Sequence, residues 1–295
     1  HLDELAKLIR QRSASVLDNL PRNETFNFVE RVSIELTTQM LATLFDFPAE
    51  DRAKLTWWSD VAIANIDSPD AVVHSEAERN AELIKMGEAF RKLWDARIDA
   101  PPTFDLISML AHSEATRNLD AREFIGTIGL LIVGGNDTTR NSMSAGLMAL
   151  CENPEQFELV RARRELIPNL VSETIRYHTP VLHMRRTARN DVELAGRQIK
   201  KGDKVVMWYI SGNRDEDKIE RADEFIIDRA KPRQHLAFGA GVHRCVGDRL
   251  AEQQLRILWE EVLARDLRFE IMGPPQRLYS NFIRGIRSLP VRIVN

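Results

Sequence analysis

Of the two cysteines in this 295-residue chain, Cys151 and Cys245, only one sits where a thiol could do chemistry. Cys245 lies in Phe238-Gly239-Ala240-Gly241-Val242-His243-Arg244-Cys245-Val246-Gly247, just ahead of a stretch with helical spacing. The positive end of a helix and its free N–H groups favour the thiolate, which is the form that ligates a metal. Glycines at 239, 241 and 247 let the segment turn tightly and bring its backbone close to a flat cofactor. An isolated cysteine is more often a small buried apolar residue, and the surrounding glycines reverse that reading here. Two cysteines with no C-x-x-C spacing give neither a disulfide framework nor a zinc site.

Two other groupings could act with it. Gly134-Gly135-Asn136-Asp137-Thr138-Thr139 sets an acid beside an alcohol next to glycines, which leaves room for a small ligand and a proton relay. The plainer alternative is a polar pair inside a helix. Glu173-Thr174-Ile175-Arg176 places opposite charges at i and i+3 on one helix face. On its own such a pair reads as a solvated bridge worth less than about 1 kcal/mol.

The elements that must position these residues are mostly helical. Apolar residues three and four apart mark helices over 2–19, 26–46, 49–66 and 76–98, punctuated by Pro21, Pro48, Pro69 and Pro101-Pro102. A pattern over 120–151 predicts one helix far longer than the globular mean of about twelve residues. Its glycines at 126, 129, 134 and 135 each cost about 1 kcal/mol relative to Ala, so they point to close approach of another body, a local distortion or tight helix packing. Short alternating runs over 192–208 predict hairpin strands, an irregular charged stretch covers 213–234, and helical spacing returns over 246–265. The expected fold is mainly α with small β-sheets, and without a linker or repeat the chain reads as a single domain, 1–295. A hydrophobic content of 43%, a charged content of 29% and a net charge of −3 give no case for a nucleic-acid partner. The longest apolar run, 125–133, is too short to cross a bilayer, and a cytoplasmic setting is the simplest expectation.

The cysteine segment resembles the haem-binding signature F-x-x-G-x-H-x-C-x-G of the cytochrome P450 superfamily, matched at every fixed position. Residues 134–139 likewise resemble that superfamily's oxygen-activation motif, [AG]-G-x-[DE]-T-[TS]. The resemblance implies haem b with Cys245 as the axial iron ligand, in a loop over 238–247 to which Phe238, Gly239 and Gly247 belong. It implies that His243 and Arg186 bind haem propionates, and that Asp137 and Thr138, on a central helix over 120–151, deliver protons to O2. It makes Glu173 and Arg176, on a helix over 165–178, a structural group completed by Arg229. The superfamily's early strands and first helices have no counterpart here, and Leu2, Leu5, Leu8 and Ile9 enter a helix with no cap signal. The expectation is therefore a cytochrome P450 fold lacking its N-terminal strands and first helices, which alone binds haem weakly or not at all and is inactive.

Over nearly its whole length the wording resembles the soluble bacterial alkane and fatty-acid terminal hydroxylases, most clearly in residues 35–48, 132–141 and 202–209. That likeness implies a monooxygenase placing one oxygen atom of O2 on the terminal carbon of a medium-chain alkane or fatty acid. The pocket candidates are apolar: Leu130, Val133 and Gly134, then Val181, Leu182 and Met184, then Phe282 and Ile283. No G-x-G-x-x-G opens a helix, so electrons must come from another protein; the likeness implies a ferredoxin and a ferredoxin reductase drawing on NADH. Arg233, Arg244 and Arg249 could steer an acidic ferredoxin to the thiolate side. The competing readings are a haem-thiolate isomerase or dehydratase, which can lose the acid–alcohol pair, and a non-catalytic haem-binding protein, which has no use for it. Asp137-Thr138 is present.

Overall fold

A computed structural model describes residues 2–295. The helical spacings of the first half fold as α1 (Leu2–Asp18), α2 (Glu35–Phe45), α3 (Ala53–Ile63), α4 (Glu76–Ile98) and α5 (Leu106–His112). Two of these start on side-chain caps: Ser75 Oγ accepts from the Glu78 N–H, and Asp105 accepts from the Ser108 N–H. The central helix α6 (Ala121–Glu152) opens on a full capping box between Asp120 and Glu123. After it come α7 (Pro154–Ala162) and α8 (Ile167–His178), each with proline in its first turn, where the missing N–H costs nothing. The remaining helices are α9 (Tyr209–Gly212) and α10 (Asp248–Ala264).

The strands among the described residues are short: β1 (Phe26–Asn27), β2 (His183–Thr187), β3 (Val192–Leu194), β4 (Arg197–Ile199), β5 (Lys204–Trp208), β6 (Phe269–Ile271), β7 (Gln276–Arg277), β8 (Ile286–Ser288) and β9 (Pro290–Ile293). They form one sheet in the order β1-β9-β6 and three hairpin-like pairs, β2-β5, β3-β4 and β7-β8. The single helix expected over 26–46 is divided. Phe26 and Asn27 pair antiparallel with Val291 and Pro290, and a π-helical turn, Val29–Ile34, leads into α2. The partner strand comes from the far end of the chain, so no local spacing announces it.

The core has two main parts, and α6 joins them. Phe124, Ile128 and Ile132 pack with Leu41, Phe45, Trp58, Phe90 and Trp94 from α2, α3 and α4. Its later residues, Met143 to Leu150, pack with α8, α10 and strands β1 and β9. The glycines of α6 divide by function. A Cβ on Gly135 would stand 2.8 Å from Leu41 Cδ2, which is tight helix packing, whereas Gly126 and Gly134 have nothing within 4 Å.

The irregular stretch after α9 is organised by one buried guanidinium. Arg176 is 1% exposed, and all five of its N–H donors are satisfied. Nε and Nη2 donate to Glu173 Oε2 and Oε1 at 2.8 and 2.7 Å. Nη1 serves the carbonyls of Asn213 and Ala222 at 2.8 and 2.7 Å, and Nη2 also serves that of Glu224 at 2.8 Å. Glu173 accepts in turn from Arg229 Nε at 3.1 Å and from the Ile226 N–H at 2.8 Å. Glu173→Ala leaves two arginines uncompensated, and the expected loss is about 3–5 kcal/mol of stability. Urea unfolding checks this, and a loss under about 1 kcal/mol would reduce the group to an ordinary surface bridge.

Candidate active site

Cys245 is presented by a loop that only glycine can turn. Gly239 and Gly241 have φ of +68° and +67°, and a Cβ on Gly239 would meet the Tyr209 hydroxyl at 3.2 Å. The loop closes where the Cys245 N–H donates to the Phe238 carbonyl at 2.9 Å, and α10 starts immediately beyond, with the Ala251 N–H on the Gly247 carbonyl at 2.9 Å. Phe238 roots the loop in the core. The Arg244 guanidinium lies over its ring at 5.8 Å and pairs with Asp248 at 2.6 Å. The His235 ring stands 5.6 Å from Phe238, and burial, with Arg244 and Arg233 nearby, lowers its pKa to about 4, so it is neutral at physiological pH. Burial pushes the Cys245 thiol up; the Gly247 N–H, donated to the sulfur, opposes this, Asp248 adds to it and Arg244 opposes it. The free thiol is therefore protonated near pH 7, and ligation of a cation releases that proton.

The surroundings of the thiol fit haem. Residues 241–246 are all exposed, and Val242 and Val246 are 96% and 93% exposed, an apolar surface of the kind that a flat apolar group covers. A cysteine sulfur hydrogen-bonded by a backbone N–H is an iron ligand of tuned potential. Arg186 donates only to the Arg185 carbonyl, at 3.0 Å, and has no carboxylate partner among the described residues, so its charge is free for a propionate. His243 is exposed on the same loop as Cys245.

The acid and the alcohol of α6 face different ways. Leu130, Gly134 and Thr138 fall four apart on one helix face, the first two exposed and the third half-buried, and Thr138 Oγ1 donates to the Gly134 carbonyl at 2.9 Å. Asp137 is 0% exposed and turned toward α3, where it accepts from Ser59 Oγ and Arg140 Nη2. Arg140 Nη2 also reaches Asp60 at 2.9 Å, and the Asp60 side chain is 34% exposed. Burial pushes the Asp137 carboxyl above the usual carboxylate range; Arg140 pulls it down, Asp60 pushes it further up and Ser59 pulls it down. Ser59, Asp60 and Arg140 escaped the sequence reading. Arg140 could have been found from its i+3 spacing to Asp137, but nothing local ties Ser59 or Asp60 to α6.

The apolar candidates come together in part. Val181 and Ile283 form an antiparallel bridge, and the Leu182 N–H donates to the Phe282 carbonyl at 2.9 Å. Ile283 is 1% exposed, whereas Val133, Val181, Leu182, Met184 and Phe282 are half-buried. This cluster is tied to α6 by Asn141, which donates to the Asp137 carbonyl at 2.7 Å and accepts from the Ile286 N–H at 2.8 Å. A separate cleft of ≈ 340 Å³ between α8 and α10 is lined by Asn169, Arg233, Arg249, Glu252 and Arg256, among others, and by none of the apolar candidates. There Arg233 pairs with Glu252.

Comparison with known proteins follows the same lines. Residues 26–281 match the pattern of the family described as Cytochrome P450. The chain is 38% identical over 295 residues to linalool 8-monooxygenase of Pseudomonas putida, covering 99% of this chain and 71% of that protein. It is similar to the solved structure of cytochrome P450-153 from Novosphingobium aromaticivorans, with 49% identity and a TM-score of 0.90 over 99% of this chain and 71% of that one. It is also similar to CYP153D17 from Sphingomonas sp. PAMC 26605, with 51% identity and a TM-score of 0.92 over 100% and 73% of the two chains.

The two thiols should react differently. Iodoacetamide is expected to modify exposed Cys245 and to spare Cys151, whose thiol donates to the Phe269 carbonyl and is pushed up to about 11 by burial and Glu152. Below its raised pKa, the Cys245 rate should climb about tenfold per pH unit through neutrality, and added haem should suppress it. Mass spectrometry of the alkylated peptides checks this, and equal labelling of Cys151, or labelling indifferent to haem, would contradict it.

Proposed function

Because the chain belongs to the cytochrome P450 family and is a monooxygenase, we propose that it hydroxylates the terminal carbon of a medium-chain alkane or fatty acid. The electrons are drawn from NADH through a ferredoxin and its reductase in the cytoplasm. The family works with haem and O2. When bound, haem supplies the chemistry that activates dioxygen, and a thiolate ligand favours O–O cleavage.

The observation that carries the substrate reading is the apolar cluster of half-buried side chains where residues 181–184 meet residues 282–283, near the open face of α6. Leu130, Val133, Val181, Leu182, Met184 and Phe282 offer no charge and no strong hydrogen-bonding group, so a substrate is held by shape and burial alone. Gly134 leaves space open beside Thr138. An alkane, or the alkyl end of a fatty acid, loses nothing in such a site, whereas a polar group placed there is left unpaired.

The chain's own residues divide the remaining work. Cys245 holds the iron, and the Gly247 N–H donated to its sulfur withdraws charge from the ligand. Arg186 and His243 bind propionates. Asp137, buried against Arg140 and with its pKa raised by burial, is the titratable acid on the inner side of α6. Asp60, partly exposed and linked to Asp137 through Arg140, connects that carboxyl to solvent. Thr138, on the open face of α6, is the alcohol that faces the site. Glu173, Arg176 and Arg229 are structural. An acidic ferredoxin is received by Arg233, Arg249 and Arg256 beside the cleft between α8 and α10, next to the cysteine loop.

A carbon monoxide difference spectrum of the reduced protein, reconstituted with excess haem, should show the red-shifted Soret band of thiolate-ligated haem, lost in Cys245→Ala. The holoprotein with ferredoxin, reductase and NADH should turn n-octane into 1-octanol. A thiolate spectrum with no alcohol from n-octane or a medium-chain fatty acid would sink the substrate reading. Asp137→Asn should slow turnover by about 100-fold or more and enlarge the solvent deuterium isotope effect, with the thiolate spectrum kept. Turnover unchanged in that variant would take Asp137 out of the proton path.

A further inference from the structure

The segment that leads through Leu182 into β2 and the turn that carries Phe282 are far apart in sequence, yet they are fastened together. Ser280 Oγ accepts from the N–H groups of Phe282 and Ile283, both at 3.1 Å. The Phe282 carbonyl accepts from the Leu182 N–H at 2.9 Å, and the Arg284 N–H donates to the Pro180 carbonyl at 2.8 Å. The Arg284 side chain then reaches back over α8. Its Nη1 donates to the carbonyls of Tyr177 and His178 at 3.2 and 2.9 Å. These are last-turn carbonyls with no intrahelical donor, at the negative end of the helix. Arg284 has no ion pair to a carboxylate among the described residues, so this helix end is its principal anchor.

His178 lies beneath it, 3% exposed, with Nε2 unpartnered. Burial, with Arg284 and Arg277 close by, lowers its pKa to about 3, while a hydrogen bond to the Arg284 backbone opposes that shift. The Phe282 ring stands edge-on to His183 of β2 at 5.8 Å, so any slip of the turn carries that ring along the strand.

We propose that Arg284, seated on the C-terminal end of α8 above His178, is a positioning residue that sets where Phe282 stands against Leu182, and hence which carbon of an aliphatic chain is oxidised. The inference rests on the aliphatic-hydroxylase reading. Arg284 acts through the turn, its guanidinium being held on the α8 carbonyls. Its guanidinium spans two carbonyls at once, and an ammonium of equal charge reproduces that only in part.

The test uses the holoenzyme with its electron donors and n-octane. Arg284→Gln removes the charge, and Arg284→Lys keeps it. In Arg284→Gln the ratio of terminal to subterminal octanol should fall about fivefold, the scale of one lost hydrogen bond, with a smaller fall in Arg284→Lys. Hydrogen exchange at the Leu182 and Arg284 amides should quicken about tenfold, with α6 amides and the thiolate carbon monoxide spectrum unchanged. If Arg284→Gln does not fold, Arg284→Lys carries both readouts. Unchanged exchange overturns the clamp itself. Faster exchange with an unchanged alcohol ratio overturns its role in selectivity. A wild-type holoenzyme that makes no alcohol from n-octane or a medium-chain fatty acid sinks the substrate reading and this inference with it, and the exchange data separate that failure from a failure of the clamp.

Discussion

The structure depends on Arg176 being fully paired out of water. A buried guanidinium without partners costs several kcal/mol, so folding is favourable only if Glu173 and the carbonyls of Asn213, Ala222 and Glu224 all converge on it. Those carbonyls belong to a stretch with little regular structure, and the guanidinium gives that stretch one conformation. Arg229 adds a second cation to the same carboxylate and fixes the chain again, nine residues before Phe238. Asn213 extends the network: its side chain accepts from the Leu236 N–H at 2.6 Å and donates to Thr179 Oγ1 at 2.8 Å. The ion group thus holds the base of the cysteine loop on one side and the end of α8 on the other.

Both ends matter to the site. Phe238 and Gly239 lead directly from that base to Cys245, and the glycine conformations leave the thiol and the apolar side chains of Val242 and Val246 uncovered. The end of α8 passes through Thr179, in the left-handed conformation at φ 50°, and then Val181 and Leu182 into β2, which carries Met184 and Arg186. Arg186, Cys245 and the segment 182–184 are therefore all referred to one buried charge, and this gives a desolvated ion group a positional role beyond its modest net stabilisation.

The central helix solves a different problem, since it must be core along much of its length and open where it meets the site. Gly135 admits Leu41, while Gly134, one residue earlier and about 100° around the helix, leaves space. The same rotation parts Asp137 from Thr138. The acid is drawn into the polar seam with Ser59, Arg140 and Asp60, and the alcohol stays on the open face. The acid thus lies in a charged seam that runs through Arg140 to the partly exposed Asp60, apart from the apolar face of the helix.

Much of this was legible in the residues themselves. Helical spacing marks α1, α4, α6 and α10 because an amphipathic face is a local property of the chain. The glycines around Cys245 and the i, i+3 placement of Glu173 and Arg176 are likewise local, and they direct attention to the loop and to the charge pair before any contact is known. The pairing of Phe26 with Val291, the approach of Ser59 and Asp60 to Asp137, and the seating of Arg284 on α8 were not legible, because each joins segments with no shared spacing. Nor does any pattern show that neighbours Asp137 and Thr138 part company. Sequence by itself determined which chemical groups are present and which short stretches can hold them, since propensity and periodicity act within a few residues. Only the tertiary structure decided which groups share a low-dielectric environment, because burial and long-range hydrogen bonds exist only once the distant segments have met.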